Sequence, residues 1–156
     1  MSALVDTNVL VYRHDPRDPA KQRVARALLR EGLEQEVLRI PHQAIVEFVQ
    51  AVTRPVGRGG AGLLTRAEAL REAEELLVQF EILYPTESLL RTAIRAVATY
   101  QLGWFDAHLW AYAEHYGLDQ ILSEDFSDGQ LIGSVRIRNP FTAGPQDRGP
   151  GSGLAS

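Results

Sequence analysis

Residues 3–12 read ALVDTNVLVY, and the fold follows from how that stretch is parsed. Ala3 to Val5 form a short apolar run with the character of a buried strand, and Asp6-Thr7-Asn8 close it at a turn or helix start. A polar triplet therefore sits at the mouth of a strand. Beyond the turn signal His14-Asp15-Pro16, Val24, Ala25, Leu28, Leu29 and Leu33 recur at helical spacing, and a strand is predicted over 37–40. That is one strand–helix–strand unit.

The same alternation continues along the chain. QAIVEFVQAVTRP (43–55) carries an apolar stripe of Ile45, Phe48, Val49 and Val52 that surrounds Glu47 and stops at Pro55. GRGGAG (57–62) is a loop, and Thr65 with Glu68 gives a capping box for the next helix. A strand is expected over 80–84. Thr86 then caps a helix carrying Leu89, Leu90, Ala93, Ile94 and Val97 and running to Gly103.

LGWFDAHLWAYA (102–113) is apolar almost all round, so a largely buried helix is predicted, and Asp106 stands out in it because an unpaired buried carboxylate is costly. Strands are expected over 120–122, ending in SEDFSDGQ, and over 135–137, the last one. Strands alternating with helices give an α/β class with a mainly parallel sheet, in which ligands bind beyond the carboxyl ends of the strands. Asp6 and Asp125 both follow strands and are expected at one edge. Residues 1–141 are read as one domain, whereas the Gly-, Pro- and Ser-rich residues 142–156 lack the apolar content to offset ordering and are expected to be disordered.

Composition narrows the chemistry. With 156 residues and 45% hydrophobic content, the chain is large enough for one real core. It has no cysteine, which excludes disulfides, zinc–thiolate sites and thiol nucleophiles. No apolar run reaches membrane-spanning length and Asp6 comes too early for a signal peptide, so a cytoplasmic protein is expected. The net charge of −4 argues against a broad basic footprint, so any phosphate contacts must be local, with Arg13, Arg17 and Arg54 as candidates. His14, His42, His108 and His115 lack zinc-ligand spacing, and GRGGAG lacks the GK[ST] ending of a phosphate-binding loop. Trp104, Phe105, Trp110 and Tyr112 are expected mostly in the core, with one at most touching a substrate.

Taken singly, each acid has an ordinary explanation: Asp6 and Asp106 as helix caps, Glu47 as a solvent-facing side chain, Asp125 and Asp128 as turn residues before Gly129. As a set they share placement at strand ends or amid apolar residues. If they converge, each close pair repels by about 4 kcal/mol at ~4 Å and an effective dielectric near 20, and several such pairs approach the ~5–15 kcal/mol stability of a whole domain. Oxygen ligands are the preferred shell of Mg2+ or Mn2+, which would relieve that repulsion and activate water toward a phosphoryl group. Thr7, Asn8 and Ser123 are placed to orient the carboxylates by hydrogen bonds.

DTNVLVY, Glu47 in AIVEF, Asp106 in WFDAH and LSEDFSDGQ occur in an order and spacing that resemble PIN-domain nucleases, especially VapC-like toxins of bacterial toxin–antitoxin pairs, over residues 3–141. The resemblance implies a three-layer α/β/α sandwich, Mg2+- or Mn2+-dependent cleavage of RNA, homodimers and inhibition by a small antitoxin protein. It carries over Asp6, Glu47, Asp106 and Asp125 as the acidic site with Asn8 and Ser123 as polar neighbours; Asp128 is an additional ligand or a substitute for Asp125. The alternative is a catalytically inactive PIN-like module that binds RNA or protein. A phosphoacceptor receiver needs a lysine at a late strand, and the chain's only lysine is Lys21; an aspartate-nucleophile phosphatase wants a second Asp where Asn8 stands.

Overall fold

The computed structural model describes residues 2–142. Of the predicted tail, everything after Thr142 lies outside the described residues. The elements run β1 (Ala3–Val5), α1 (Thr7–Tyr12), α2 (Pro19–Gln35), β2 (Leu38–Pro41), α3 (His42–Thr53), α4 (Arg66–Gln79), β3 (Glu81–Leu83), α5 (Glu87–Tyr100), α6 (Trp104–His115), β4 (Gln120–Leu122), β5 (Leu131–Ile132) and β6 (Val135–Arg138).

The strands make one six-stranded sheet in the order β3-β2-β1-β4-β6-β5. Every pairing is parallel except β5 with β6. Parallel neighbours need long crossovers, and the helices supply them. Chain order runs outward from β1 to β3 on one side and resumes with β4 on the other, so β1 and β4 flank the point where strand order reverses. Ligands bind at such points in open α/β sheets.

The three-layer sandwich follows from which face each strand residue offers. Val5, Leu38, Ile40 and Leu122 pack with Val9, Leu29, Phe48 and Leu76 of α1–α4. On the opposite face Leu4, Ile121 and Ile137 pack with Leu89, Ala93, Ala107 and Trp110 of α5 and α6. Leu4 and Val5 are neighbours in β1 yet lie in different cores, as the period of two along a strand requires.

Local chemistry sets several boundaries. The Thr65–Glu68 capping box is formed in both directions, and the Thr86 hydroxyl accepts from the Leu89 N–H at 3.0 Å. Helix α5 ends at Tyr100, before the expected Gly103, because Gln101 turns into the left-handed region at φ 55°. The stretch 131–132, not expected as a strand, joins the edge of the sheet by pairing with β6; two residues are too few to produce a periodic signal.

Two expectations for aromatic residues divide. Trp110 and Tyr112 are core residues, and the Trp110 indole N–H donates to the Ile132 carbonyl at 2.9 Å. Trp104 and Phe105, in contrast, are exposed in the first turn of α6. No helix among the described residues is long and apolar enough to cross a membrane.

Candidate active site

Asp6 is the first residue after β1 and one of the few buried carboxylates, 7% exposed. Its N–H donates to the Leu122 carbonyl of β4 at 3.0 Å, which ties it to the strand-order reversal. It caps the six-residue helix α1, its Oδ1 accepting the Thr7 N–H at 2.7 Å. Capping is thus a real role of Asp6, but it uses only one carboxylate oxygen.

The other oxygen faces residues distant in sequence. Ser123, fully buried after β4, donates its hydroxyl to Asp6 Oδ2 at 2.6 Å. Its Oγ also accepts the Asp125 N–H at 3.0 Å, so one hydroxyl positions two acids. The Asn8 amide reaches Asp125 Oδ2 at 3.3 Å and Asp6 Oδ2 at 3.5 Å. Thr7 donates its hydroxyl to Glu47 Oε1 at 2.6 Å, linking α1 to α3. Each of the three polar neighbours read from the sequence therefore bonds at least one of the acids.

Electrostatics brings the acids into one group. Burial lifts the Asp6 carboxyl from its ordinary 3.8 to about 6; the bonds from Ser123 and Thr7 oppose the rise, and the charges of Asp125 and Glu47 add to it. Asp106, in the first turn of α6, is also raised, first by burial and then by the charge of Asp125. Asp6 thus feels the charges of Asp125 and Glu47, and Asp106 that of Asp125, which links acids placed after β1, on α3, on α6 and in the loop after β4.

Asp128 is engaged elsewhere. Its Oδ1 accepts the Asn139 N–H at 2.8 Å, which fastens the β4–β5 loop to the end of β6. Of the candidate phosphate ligands, only Arg17 is held by another side chain among the described residues, and the Arg13 Nε is buried without a hydrogen-bond partner. Arg13 is half-buried, and the charges that act on it are those of Glu72 and Arg26. Arg17 holds both oxygens of Asp15 at 2.8 Å. Arg54 is exposed at the end of α3.

The donor set is all oxygen, the chemistry a hard divalent cation selects. Among the described residues no three Asp, Glu or His side chains stand near enough together to hold one ion as they are. The residues thus match such a cation in donor chemistry but, as they stand, do not gather three of these side chains about one point.

Glu124, the neighbour of Asp125, is tied by both oxygens to Tyr12 and Lys21. Sequence reading did not single out this trio. The helical spacing of Asn8 and Tyr12 was a usable signal; the link to Lys21 across 103 residues had none.

The PIN-domain family profile matches residues 3–127. No curated protein matches the chain in sequence. Among solved structures, the Mycobacterium tuberculosis toxin VapC20, described as sarcin–ricin loop cleaving, superposes with a TM-score of 0.61 at 16% identity, covering 80% of this chain and 90% of its own. A toxin–antitoxin complex from Klebsiella pneumoniae gives 0.62 at 19% identity, covering 89% and 98%. VapBC2 from Rickettsia felis, bound to a promoter DNA fragment, gives 0.63 at 12% identity, again covering 89% and 98%. At these identities the likeness to solved structures is one of fold, and the family profile spans most of the chain: the protein belongs to the PIN-domain family.

Proposed function

We propose that the chain is a metal-dependent endoribonuclease that hydrolyses RNA phosphodiester bonds, acting in the cytoplasm as the toxin of a toxin–antitoxin pair. The observation that carries this reading is the coupling around Asp6, a buried carboxylate at the strand-order reversal, raised to about 6 partly by the charges of Asp125 and Glu47. A site arranged only for stability would not gather like charges in this way.

Asp6, Glu47, Asp106 and Asp125 would hold Mg2+ or Mn2+. When bound, the ion supplies Lewis-acid polarisation of a phosphoryl oxygen and acidification of the attacking water. The protein's own groups do the positioning: Ser123 and the Thr7 N–H hold Asp6, Thr7 holds Glu47, and Asn8 holds Asp125. In the net reaction the water oxygen bonds to phosphorus, the bond to one ester oxygen breaks, and that oxygen leaves with a proton.

The toxin assignment is supported by the antitoxin complexes among the similar folds, and RNA as substrate by the description of VapC20. A small antitoxin protein is the corresponding partner. A homodimer is supported by exposed apolar residues on α4 and α5, among them Val78, Leu90 and Ile94. Light scattering of the purified chain at twice the 17.3 kDa monomer mass would bear this out.

The test is a pair of variants. Asp6→Asn and Asp106→Asn should fold and lose Mg2+-dependent RNA cleavage by at least about 100-fold, since removing groups that merely orient ligands already costs about 10–100-fold. Cleavage retained in both would overturn the proposal. A non-catalytic PIN-like module that binds RNA or protein is the second reading, favoured by the spread of the acids as they stand. Calorimetric titration with Mn2+ alongside a cleavage assay separates the two, because only the enzyme binds the ion and cuts.

A further inference from the structure

Asp125 is exposed on the irregular loop after β4, and its carboxylate receives the Asn8 amide at 3.3 Å, a long bond. One such contact is a weak hold for an ion ligand. Its neighbour Glu124 is anchored far more firmly. Glu124 Oε2 accepts the Tyr12 hydroxyl at 2.7 Å, and Glu124 Oε1 accepts the Lys21 ammonium at 2.8 Å. Lys21 also donates to the Tyr12 oxygen at 3.2 Å, closing a three-membered network.

The geometry is built from helical spacing. Asn8 and Tyr12 lie four residues apart on α1, so they share a face, and that face meets two consecutive loop residues: Asn8 takes Asp125 and Tyr12 takes Glu124. Lys21 adds a second helix, α2. Its ammonium sits 4.7 Å from the centroid of the Tyr12 ring, and Phe141 packs edge-on against that ring at 5.0 Å. The side chains of Lys21 and Glu124 are 33% and 23% exposed. A charge-assisted network with this shielding is stronger than an open surface pair.

Charge adds a second role. Left unpaired, Glu124 would place another negative charge next to Asp125, whose own charge already acts on Asp6 and Asp106. Lys21, the only lysine of the chain, cancels it.

We propose that Lys21, Tyr12 and Glu124 form a clamp of positioning residues that fixes the loop after β4 and thereby presents Asp125 for ion binding. The inference rests on the function proposed above, but its first consequence, loop order, is independent of it.

The experiment uses the full chain with Lys21→Met, Tyr12→Phe and Lys21→Arg, and Arg91→Met as a control that breaks an exposed pair with Glu87 on α5. Hydrogen exchange of residues 123–128 is measured without metal, and Mn2+ affinity is measured by calorimetry. Lys21→Met and Tyr12→Phe should each raise exchange in that segment several-fold while leaving β1 and β4 protected. Mn2+ binding should weaken by about tenfold, the range seen when groups supporting a ligand are removed. Lys21→Arg should restore much of both, and Arg91→Met should change neither. Tyr12→Phe keeps the ring packing, so it remains informative if Lys21→Met folds poorly. Unchanged exchange in both variants overturns the clamp, as does an equal change in the control. A wild-type chain that binds no Mn2+ overturns the proposed function instead, and the exchange result still decides the clamp.

Discussion

Asp6 concentrates the site's energetics at a single residue. Between about pH 4 and 6 the folded chain retains a proton that the unfolded chain has released, because burial and the neighbouring acids raise the carboxyl to about 6. Stability from this group is therefore present at low pH, falls as pH rises through that window and is lost above about 6. The shift corresponds to about 3 kcal/mol of destabilisation at neutral pH. Asp6→Asn removes it at the loss of one acceptor, worth about 1 kcal/mol. The variant should accordingly be more stable than wild type by about 1–2 kcal/mol at pH 7.5 in chelator, with the gain gone by about pH 4. Thermal melts at the two pH values check this, and a wild type equally or more stable at pH 7.5 would contradict it. Mn2+ should reverse the order by stabilising wild type alone. Because binding needs the ionised carboxylate, Mn2+ affinity should fall about tenfold per pH unit below 6.

At the scale of elements, the connection between α3 and α4 shows what a glycine-rich loop does here. A Cβ on Gly62 would lie 2.7 Å from the Val52 carbonyl oxygen and 2.8 Å from that of Thr53. The loop returns across the end of α3 at a distance only glycine permits, and the Leu64 N–H then donates to the Val52 carbonyl at 3.0 Å. The clashing atoms are backbone and cannot rotate away. Gly62→Ala should cost about 1–3 kcal/mol, the usual range for forced overpacking, and urea denaturation of the variant beside the parent chain checks it. The sequence placed GRGGAG as a loop correctly; the close approach was hidden because it depends on which residues of α3 lie opposite.

Viewed whole, the molecule carries a net charge of −4, and several of its arginines are engaged within the fold. Arg17 pairs with Asp15, Arg39 with Glu81 and Arg91 with Glu87. RNA should therefore be held through few phosphate contacts. For the Asp6→Asn variant, log affinity against log salt over about 50–200 mM should have a slope no steeper than about −3. A steep slope in filter binding would show a basic surface that neither the charge nor the pairing reveals.

The sequence by itself determined all the elements but the two-residue β5, their order and hence the mainly parallel sheet, since strand and helix periods, the Thr65 and Thr86 caps and the breaks at Pro55 and Gly57 are local signals. It also put Asp6 at a strand end, which fixes the edge at which a site forms. Tertiary structure alone decided which residues meet there. Ser123 meets Asp6, and Asn8 meets Asp125, each across 117 residues, while Lys21 takes Glu124 across 103. Asp128 turned instead to Asn139, and Trp104 and Phe105 stayed in solvent on a helix whose apolar residues show almost no preferred face. Such outcomes depend on what packs opposite a residue after the strands have ordered themselves, and residue type and local spacing carry no record of that.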